Sequence, residues 1–224
     1  MRSVTYARRL EATGDFSAAA RGQRVAAGWR VRQLADDGVF RVLYASGFAI
    51  GLVLYVPFVF IAPMAEQYGV TPLRAAALIS VIGFASTAAR VLFGFLAGRI
   101  GVVAAYKATT ITTWASFLIW LPSRSFWALL VFALVFGAGY GGSIALMPAI
   151  LGHYYGVQSL GTVTGAMFTS ASAGALIGAP LAGFIIGASD GYLLATVVAF
   201  AIATLGTVGQ VFLPRVHPAT QRLG

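Results

Sequence analysis

The sequence has 224 residues, 59% of them apolar and only 9% charged, with a mean hydropathy of +0.85. A soluble domain carries about a quarter charged residues, so this composition excludes a water-soluble globular fold and implies an integral membrane protein. The net charge of +9 does not indicate nucleic acid, because the basic residues are distributed along the chain as a membrane topology signal rather than as one stripe.

Residues 1–38 are arginine-rich, with low hydrophobicity and no apolar period, and are expected to form a largely disordered cytoplasmic arm. The arm lacks the short apolar core and small-residue cleavage site of a secretory signal. Trp29 to Leu34 reads equally as a solvated linker or as a segment along the inner membrane surface. Asp36 or Asp37 is placed to cap the helix that follows, where a carboxylate meets unpaired N–H groups. Six apolar stretches follow, near 39–66, 73–98, 102–121, 126–152, 161–188 and 191–213, with a tail at 215–224. Each has the roughly 20 residues needed to cross a hydrocarbon core of about 30 Å. Continuous runs of this length exclude a transmembrane β-barrel and predict an all-α membrane protein with a six-helix domain over 39–214.

The first span carries Pro57 and Pro63 in its outer half, where proline removes a backbone hydrogen bond and predicts kinks; Tyr55, one turn away, is a candidate pocket wall. Pro72 is well placed to start the second span. That span holds Arg90, whose charge would cost roughly 2.5–3.5 kcal/mol at the bilayer centre on insertion scales, so it is expected to face protein or water. On a helical wheel Gly83, Ser86, Thr87, Arg90, Gly94 and Gly98 gather within about 60° of one line, with Phe84, Leu92 and Phe95 opposite. Trp120 ends the third span and Trp127 opens the fourth, a pair expected to form an interfacial belt.

The fourth span packs Gly137, Gly139, Gly141 and Gly142 around Tyr140 and then carries Pro148, a run suited to close packing or to a gate. The fifth places Gly161, Gly165, Thr169 and Ser172 on one face and Gly174 and Gly178 on another. The sixth is mostly aliphatic and reads as a lipid-facing support. Twelve basic residues fall on the side of the termini (eight arginines from Arg2 to Arg41, then Arg99, Lys107, Arg215 and Arg222) and two, Arg74 and Arg124, on the other. This asymmetry predicts cytoplasmic termini in a multi-pass protein of the cell membrane.

The chain also repeats itself weakly. QYGV at 67–70 returns as YYGV at 154–157, LAG at 96–98 returns at 181–183, and Val39-Phe40 corresponds to Ser125-Phe126. These offsets of about 86 residues equal three spans, so the second copy must run inverted through the membrane, an architecture of transporters. In this register Arg90 corresponds to a position near Ala175, and the charge belongs to one copy only.

The segment GFLAGRIG (94–101) is similar to the loop signature between the eighth and ninth helices of major facilitator superfamily transporters. ARVLFG (89–94), LMPAILGHYYG (146–156) and GTVTGAMFTSASAGALIGAPLAGFI (161–185) resemble the carboxy-terminal half of its monocarboxylate and oxalate:formate branches. The resemblance spans about 29–214. It implies that the six spans are helices seven to twelve, that the arm is the central cytoplasmic loop, and that Arg90 pairs with a substrate carboxylate. Residues Ser86, Thr87, Tyr55, Tyr140, Thr169 and Ser172 are the further substrate-binding candidates, and Pro57, Pro63, Gly139 and Pro148 the gating candidates. The signature's usual aspartate is Gly98 here, its basic pair is Val102-Val103, and Ser86 stands where monocarboxylate carriers commonly have an aspartate. A single arginine suits a monoanion, and a guanidinium fork matches a planar carboxylate. The resemblance therefore implies a small organic anion substrate, no cofactor, no nucleic-acid partner, and a second six-helix half that is a missing amino-terminal half, a separate chain or a second copy. The alternative is a non-transporting module or inactive fragment that pairs with a transporter. Gly141-Gly142-Ser143 on the fourth span invites comparison with an intramembrane serine protease, but the sixth span has no histidine to activate a serine, so an enzyme is not expected.

Overall fold

The computed structural model describes residues 31–121, 123–189 and 191–214. Trp29, most of the arm, Asp190 and the tail with Arg215, His217 and Arg222 lie outside the described residues. The described chain is helical with no strands: α1 (Val31–Asp36), α2 (Gly38–Leu54), α3 (Val56–Gln67), α4 (Pro72–Ile100), α5 (Val102–Trp120), α6 (Phe126–Tyr155), a single 3-10 turn (Val157–Ser159), α7 (Leu160–Ser189) and α8 (Tyr192–Val211). The first span comprises α2 and α3, and α4 to α8 are the second to the sixth.

Five of the six spans are long and apolar enough to cross a membrane on their own composition. The third, α5, is 19 residues long and diluted by Lys107 and four threonines. Its Thr109, Thr110, Thr113 and Ser116 are buried inside the bundle. Thr109, Thr113 and Ser116 each donate to a carbonyl three or four residues back, and Thr110 shares its one proton between the Tyr106 carbonyl and Gln210 Oε1, so all four are satisfied without water. The polar side of α5 thus faces protein, and the helix completes the set of six.

Local chemistry sets the helix ends. The Asp37 carboxylate accepts from the Phe40 N–H at 2.8 Å, capping α2, and also from the Tyr155 hydroxyl at 2.8 Å, which ties the start of the first span to the end of the fourth. The first span is broken rather than smoothly kinked. Tyr55 lies in a turn between α2 and α3, and Pro57 falls in the first turn of α3, where a missing N–H costs nothing. Pro63 lies inside α3 and Pro148 inside an uninterrupted α6. The second span, expected to end near 98, runs two residues further: α4 reaches Ile100 and α5 begins at Val102. The whole reversal falls on Gly101, whose φ of +87° favours glycine.

Within a bilayer, helices associate through close packing more than through the hydrophobic effect, and small residues permit it. Two of the three most extensive helix interfaces in the described chain are α4 with α6 and α2 with α7. A Cβ on Gly141 would overlap the Ser86 backbone, and one on Gly178 would overlap the Leu52 carbonyl. These interfaces are copies of one another. Gly137 packs on Ala85, and Gly51 packs on Ala171. Gly51 and Gly137 are 86 residues apart, and so are Ala85 and Ala171. The inverted repeat read weakly from short matches therefore has a definite register, and the helices exchange partners across it. Under this register Arg90 corresponds to Leu176, one residue beyond the Ala175 neighbourhood expected from sequence.

The core has one cluster around Phe40, Tyr106, Ile150 and Met167, at the end where α2 begins, and another around Ile61, Phe117, Trp120 and Phe132 at the opposite end. Trp120 belongs to the second and not to an interfacial belt. It is 1% exposed and stacks on Phe132 at 5.0 Å, whereas Trp127 is 72% exposed. At the end where α2 begins, Lys107 Nζ donates to the Leu213 carbonyl at 2.7 Å and the Tyr154 hydroxyl donates to that of Pro214, fastening the chain just beyond α8.

Candidate functional site

Helix α4 has three faces. Leu78, Ile82, Ala85, Ser86, Ala89 and Phe93 form the buried stripe against α6. On one side of it lie large exposed apolar residues, Phe84, Leu92 and Phe95, suited to lipid. On the other lie Gly83, Thr87, Arg90, Gly94 and Gly98, all exposed. Arg90 is ten residues from the end of α4 at Ile100, which places it about 15 Å along the helix axis from that end, near the middle of a hydrocarbon core of about 30 Å. Arg90 has no hydrogen bond or ion pair to any described residue.

A cavity of about 400 Å³ opens beside this level. Its walls come from the first, third, fourth, fifth and sixth spans. Gly47 and Tyr55 mark its extent on the first, Phe168 and Leu176 on the fifth. The first and last lining residues on each of these spans lie seven to eleven positions apart, so the cavity runs roughly 10–16 Å along the helix axes. Most of the wall is apolar. Polar groups concentrate toward the end where α5 begins and α8 finishes, where Thr110 donates to Gln210 Oε1 at 2.9 Å and Ser143 donates to Thr109 Oγ1 at 3.0 Å. Trp114 reaches across to Thr204, Nε1 to Oγ1, at 2.9 Å.

The mid-membrane level is organised by aromatic rings. Trp120, Phe132, Phe136 and Tyr140 stack successively, the last three at four-residue intervals on α6. Phe58, just past the break in the first span, meets Phe136 and Tyr140 edge-on at 5.7 and 5.4 Å and touches Tyr55 at 6.2 Å. The break at Tyr55 thus turns that phenol into the cavity that Tyr140 also lines. Edge-to-face and offset rings hold such a wall without any polar cost.

The residues expected to form a site do not all meet. Tyr55, Tyr140 and Ser172 line the cavity. Arg90 and Thr87 occupy the adjoining open face of α4, and Thr169 is exposed on α7. Ser86 is separated from them: it is 3% exposed, its backbone lies against Gly141, and its Oγ has no partner among the described residues. Of the gating candidates, Gly139 is a packing residue, since a Cβ there would collide with Thr113, while Pro57 is buried and Pro63 and Pro148 are exposed. The sequence reading missed Tyr106, Thr110, Trp114, Thr207 and Gln210, all of which line the cavity. The sixth span is therefore not a purely lipid-facing support. Its Thr196, Ala203, Thr207 and Gln210 follow a seven-, four- and three-residue spacing, one helical stripe that was present in the sequence.

Among the described residues no three histidines or carboxylates gather as a metal site. Ser143, the candidate nucleophile of the enzyme comparison, donates to Thr109.

Comparison with known proteins assigns the chain to a family. The profile of the Major Facilitator Superfamily matches residues 43–224. The chain is 30% identical over 180 residues to an MFS-type transporter of Gibberella moniliformis, covering 80% of this chain and 43% of that protein. It is 31% identical over 172 residues to monocarboxylate transporter 3 of Rattus norvegicus, covering 73% and 35% respectively. It is 28% identical over 177 residues to monocarboxylate transporter 4 of Gallus gallus, covering 75% and 37%. The chain thus spans well under half the length of these relatives.

Proposed function

The chain belongs to the Major Facilitator Superfamily, a family of transporters rather than enzymes, and on that premise we propose that it is the carboxy-terminal half of a secondary carrier for a small organic anion, a monocarboxylate. Arg90 binds the carboxylate. The observation that carries this reading is an arginine at mid-membrane depth, without a hydrogen-bonded or ion-paired partner among the described residues, on the open face of α4 that it shares with Thr87 and three glycines. A buried cation is costly to keep in lipid, and a carboxylate supplies the missing counter-charge through a two-pronged fork. The names of the mammalian and avian relatives point to the same substrate class.

The second six-helix half packs against the open faces of α4 and α7. Gly83, Gly94 and Gly98 on α4, and Gly161 and Gly165 on α7, have nothing within 4 Å of where a Cβ would be, which leaves both faces free for close approach. Residues 1–38 then serve as the cytoplasmic connection between halves and 215–224 as the tail, with both termini in the cytoplasm of a cell-membrane carrier. Two measurements test the proposal. Uptake of labelled lactate into vesicles holding this chain with a second half should be lost in Arg90→Ala; equal uptake in both would remove Arg90 from the site. A cysteine placed at Ser3 should react with impermeant reagents only in inside-out vesicles, and labelling from outside intact cells would invert the topology.

A further inference from the structure

We propose that the cavity among the spans is a binding site in its own right, for an uncharged molecule with an apolar body of one or two rings and a carbonyl oxygen that meets the polar end of the wall. It is separate from the carboxylate site read at Arg90, since no residue of the second span lines the cavity.

Three observations carry the assignment. The first is a set of polar groups left open where α5 begins and α8 finishes. Tyr106, Thr207 and Gln210 line the cavity and are 4%, 8% and 4% exposed. The Tyr106 and Thr207 hydroxyls and the Gln210 amide nitrogen have no hydrogen-bond partner among the described residues. Buried polar groups are nearly always paired, and all three of these can donate, so the group they lack is an oxygen acceptor. The Gln210 carbonyl oxygen is already engaged, since Oε1 accepts from Thr110.

The second observation is the wall. Away from that end it is mostly apolar, and among the described residues that line it none is charged. An ion placed here would leave water without a counter-charge, which is costly, whereas a neutral ring gains from the same burial. The volume of about 400 Å³ lies within the range of about 300–1,000 Å³ that holds drug-sized ligands, and apolar space is poorly filled by water.

The third is the asymmetry of the repeat. In its 86-residue register Gly47, Ile50 and Phe168 of the cavity wall correspond to Ala133, Phe136 and Ile82. Those three counterparts are fully buried and belong to one core cluster. One repeat thus closes this space with its own side chains, while the other carries smaller residues on α2 and leaves Phe168 half exposed. Interiors are otherwise packed to uniform density, so the open copy has room for a ligand where the closed copy has none.

The experiment uses the purified chain in lipid nanodiscs, with empty nanodiscs as background. The probe is benzophenone, a neutral two-ring ketone that inserts into nearby C–H bonds on irradiation, and its adducts are mapped by peptide mass spectrometry. Diphenylmethane, which has the rings without the oxygen, competes against it, and 4-benzoylbenzoate supplies the charged analogue. Saturable labelling is expected at cavity residues such as Met147 and Leu176. Diphenylmethane should compete at least about tenfold more weakly than unlabelled benzophenone, the worth of a hydrogen bond at a desolvated site, and 4-benzoylbenzoate should label less than benzophenone. Gln210→Leu and Tyr106→Phe, the second deleting one oxygen only, should each weaken benzophenone at least about threefold and leave diphenylmethane within about twofold. Ala175→Phe, which fills the cavity from α7, should abolish the saturable component. Helix content and melting temperature check that each variant folds, and the comparison of probes in wild type needs no variant. Labelling that rises linearly with concentration and falls on exposed Phe84, Leu92 and Phe95 overturns the site. Equal competition by diphenylmethane and benzophenone overturns the carbonyl contact, and tighter labelling by 4-benzoylbenzoate overturns the uncharged class. A phospholipid retained in native mass spectra and not displaced by benzophenone assigns the cavity to an acyl chain and overturns the ketone ligand.

Discussion

Helices α4 and α7 occupy equivalent places in the two inverted repeats, and they agree on one face and differ on the other. Each presents a small-residue contact to the partner repeat, Ala85 meeting Gly137 and Ala171 meeting Gly51. Each also leaves an open flank, but α4 puts Arg90 there and α7 puts Leu176 at the matching position. Packing is duplicated because both copies must solve the same problem of bringing helices into contact within lipid. The outward residue is free to diverge because no packing partner within the chain depends on it.

The packing half of this comparison is the easiest to break. Gly178→Leu and Gly141→Leu force a side chain into the Leu52 carbonyl and the Ser86 backbone respectively. Neither obstacle can rotate away, so each change should cost more than ~3 kcal/mol, the upper end of ordinary overpacking. The measure is the monodisperse fraction on size-exclusion chromatography after detergent extraction. Gly94→Ala, on the open flank, should keep the wild-type profile. A folded, wild-type-stable Gly178→Leu would show that the α2–α7 contact is looser than the repeat demands.

The divergent half is tested by exchange across the repeat. Arg90→Leu makes both copies aliphatic and should lower affinity for a monocarboxylate by roughly 10–100-fold, the range for a lost charge-assisted hydrogen-bonding pair. Melting temperature should hold, since Arg90 has no structural partner among the described residues to lose. Arg90→Lys keeps the charge without the fork and should fall between the two. Leu176→Arg makes both copies cationic and should shift preference toward a dicarboxylate such as succinate. If it leaves the ratio of succinate to monocarboxylate affinity unchanged, positions 90 and 176 do not face one bound molecule.

A smaller effect is expected where the third and sixth spans meet. Thr110→Val leaves Gln210 Oε1 without its donor at a buried site and should cost about 1–3 kcal/mol. Adding Gln210→Leu should return part of that loss, because both polar groups are then gone. Thermal unfolding of the four species gives the coupling directly, and simple additivity would mean that water already replaces the bond.

How much of this could be read beforehand differs between the two faces of the helices. Six spans, the inverted repeat, the Gly174 and Gly178 contact and the isolation of Arg90 were legible, because each depends on local composition or on spacing along one helix. The cavity was not. Tyr106, Trp114 and Gln210 come together only when the third and sixth spans cross; the Thr196 to Gln210 stripe marks the inward side of the sixth span but does not say which helix it meets. Ser86 was misplaced for a related reason: a helical wheel put it beside Arg90, but the buried stripe starts one residue before Thr87, so Ser86 turns into the α6 contact. Trp120 looked like an interface residue because it ends a span beside a loop, and only the stacked rings of α6 show that it is core.

The smallest effect is expected at Thr87, next to Arg90 on the same open face. Its Oγ1 donates to the Gly83 carbonyl at 3.1 Å, one turn back, just as Thr169 Oγ1 donates to Gly165 at 3.0 Å on α7. A hydroxyl has one proton to give, and a carboxylate only accepts. With that proton directed at the backbone, Thr87 offers a bound carboxylate two lone pairs and no donor, so proximity to Arg90 does not translate into binding. Thr87→Val should therefore change monocarboxylate affinity by no more than about twofold, well below the effect expected at Arg90. Thr169→Val, on the repeat without the charge, should do the same. A tenfold loss in Thr87→Val alone would mean that the hydroxyl turns from Gly83 to the ligand on binding, and the α4 face would then recognise the carboxylate with two side chains instead of one.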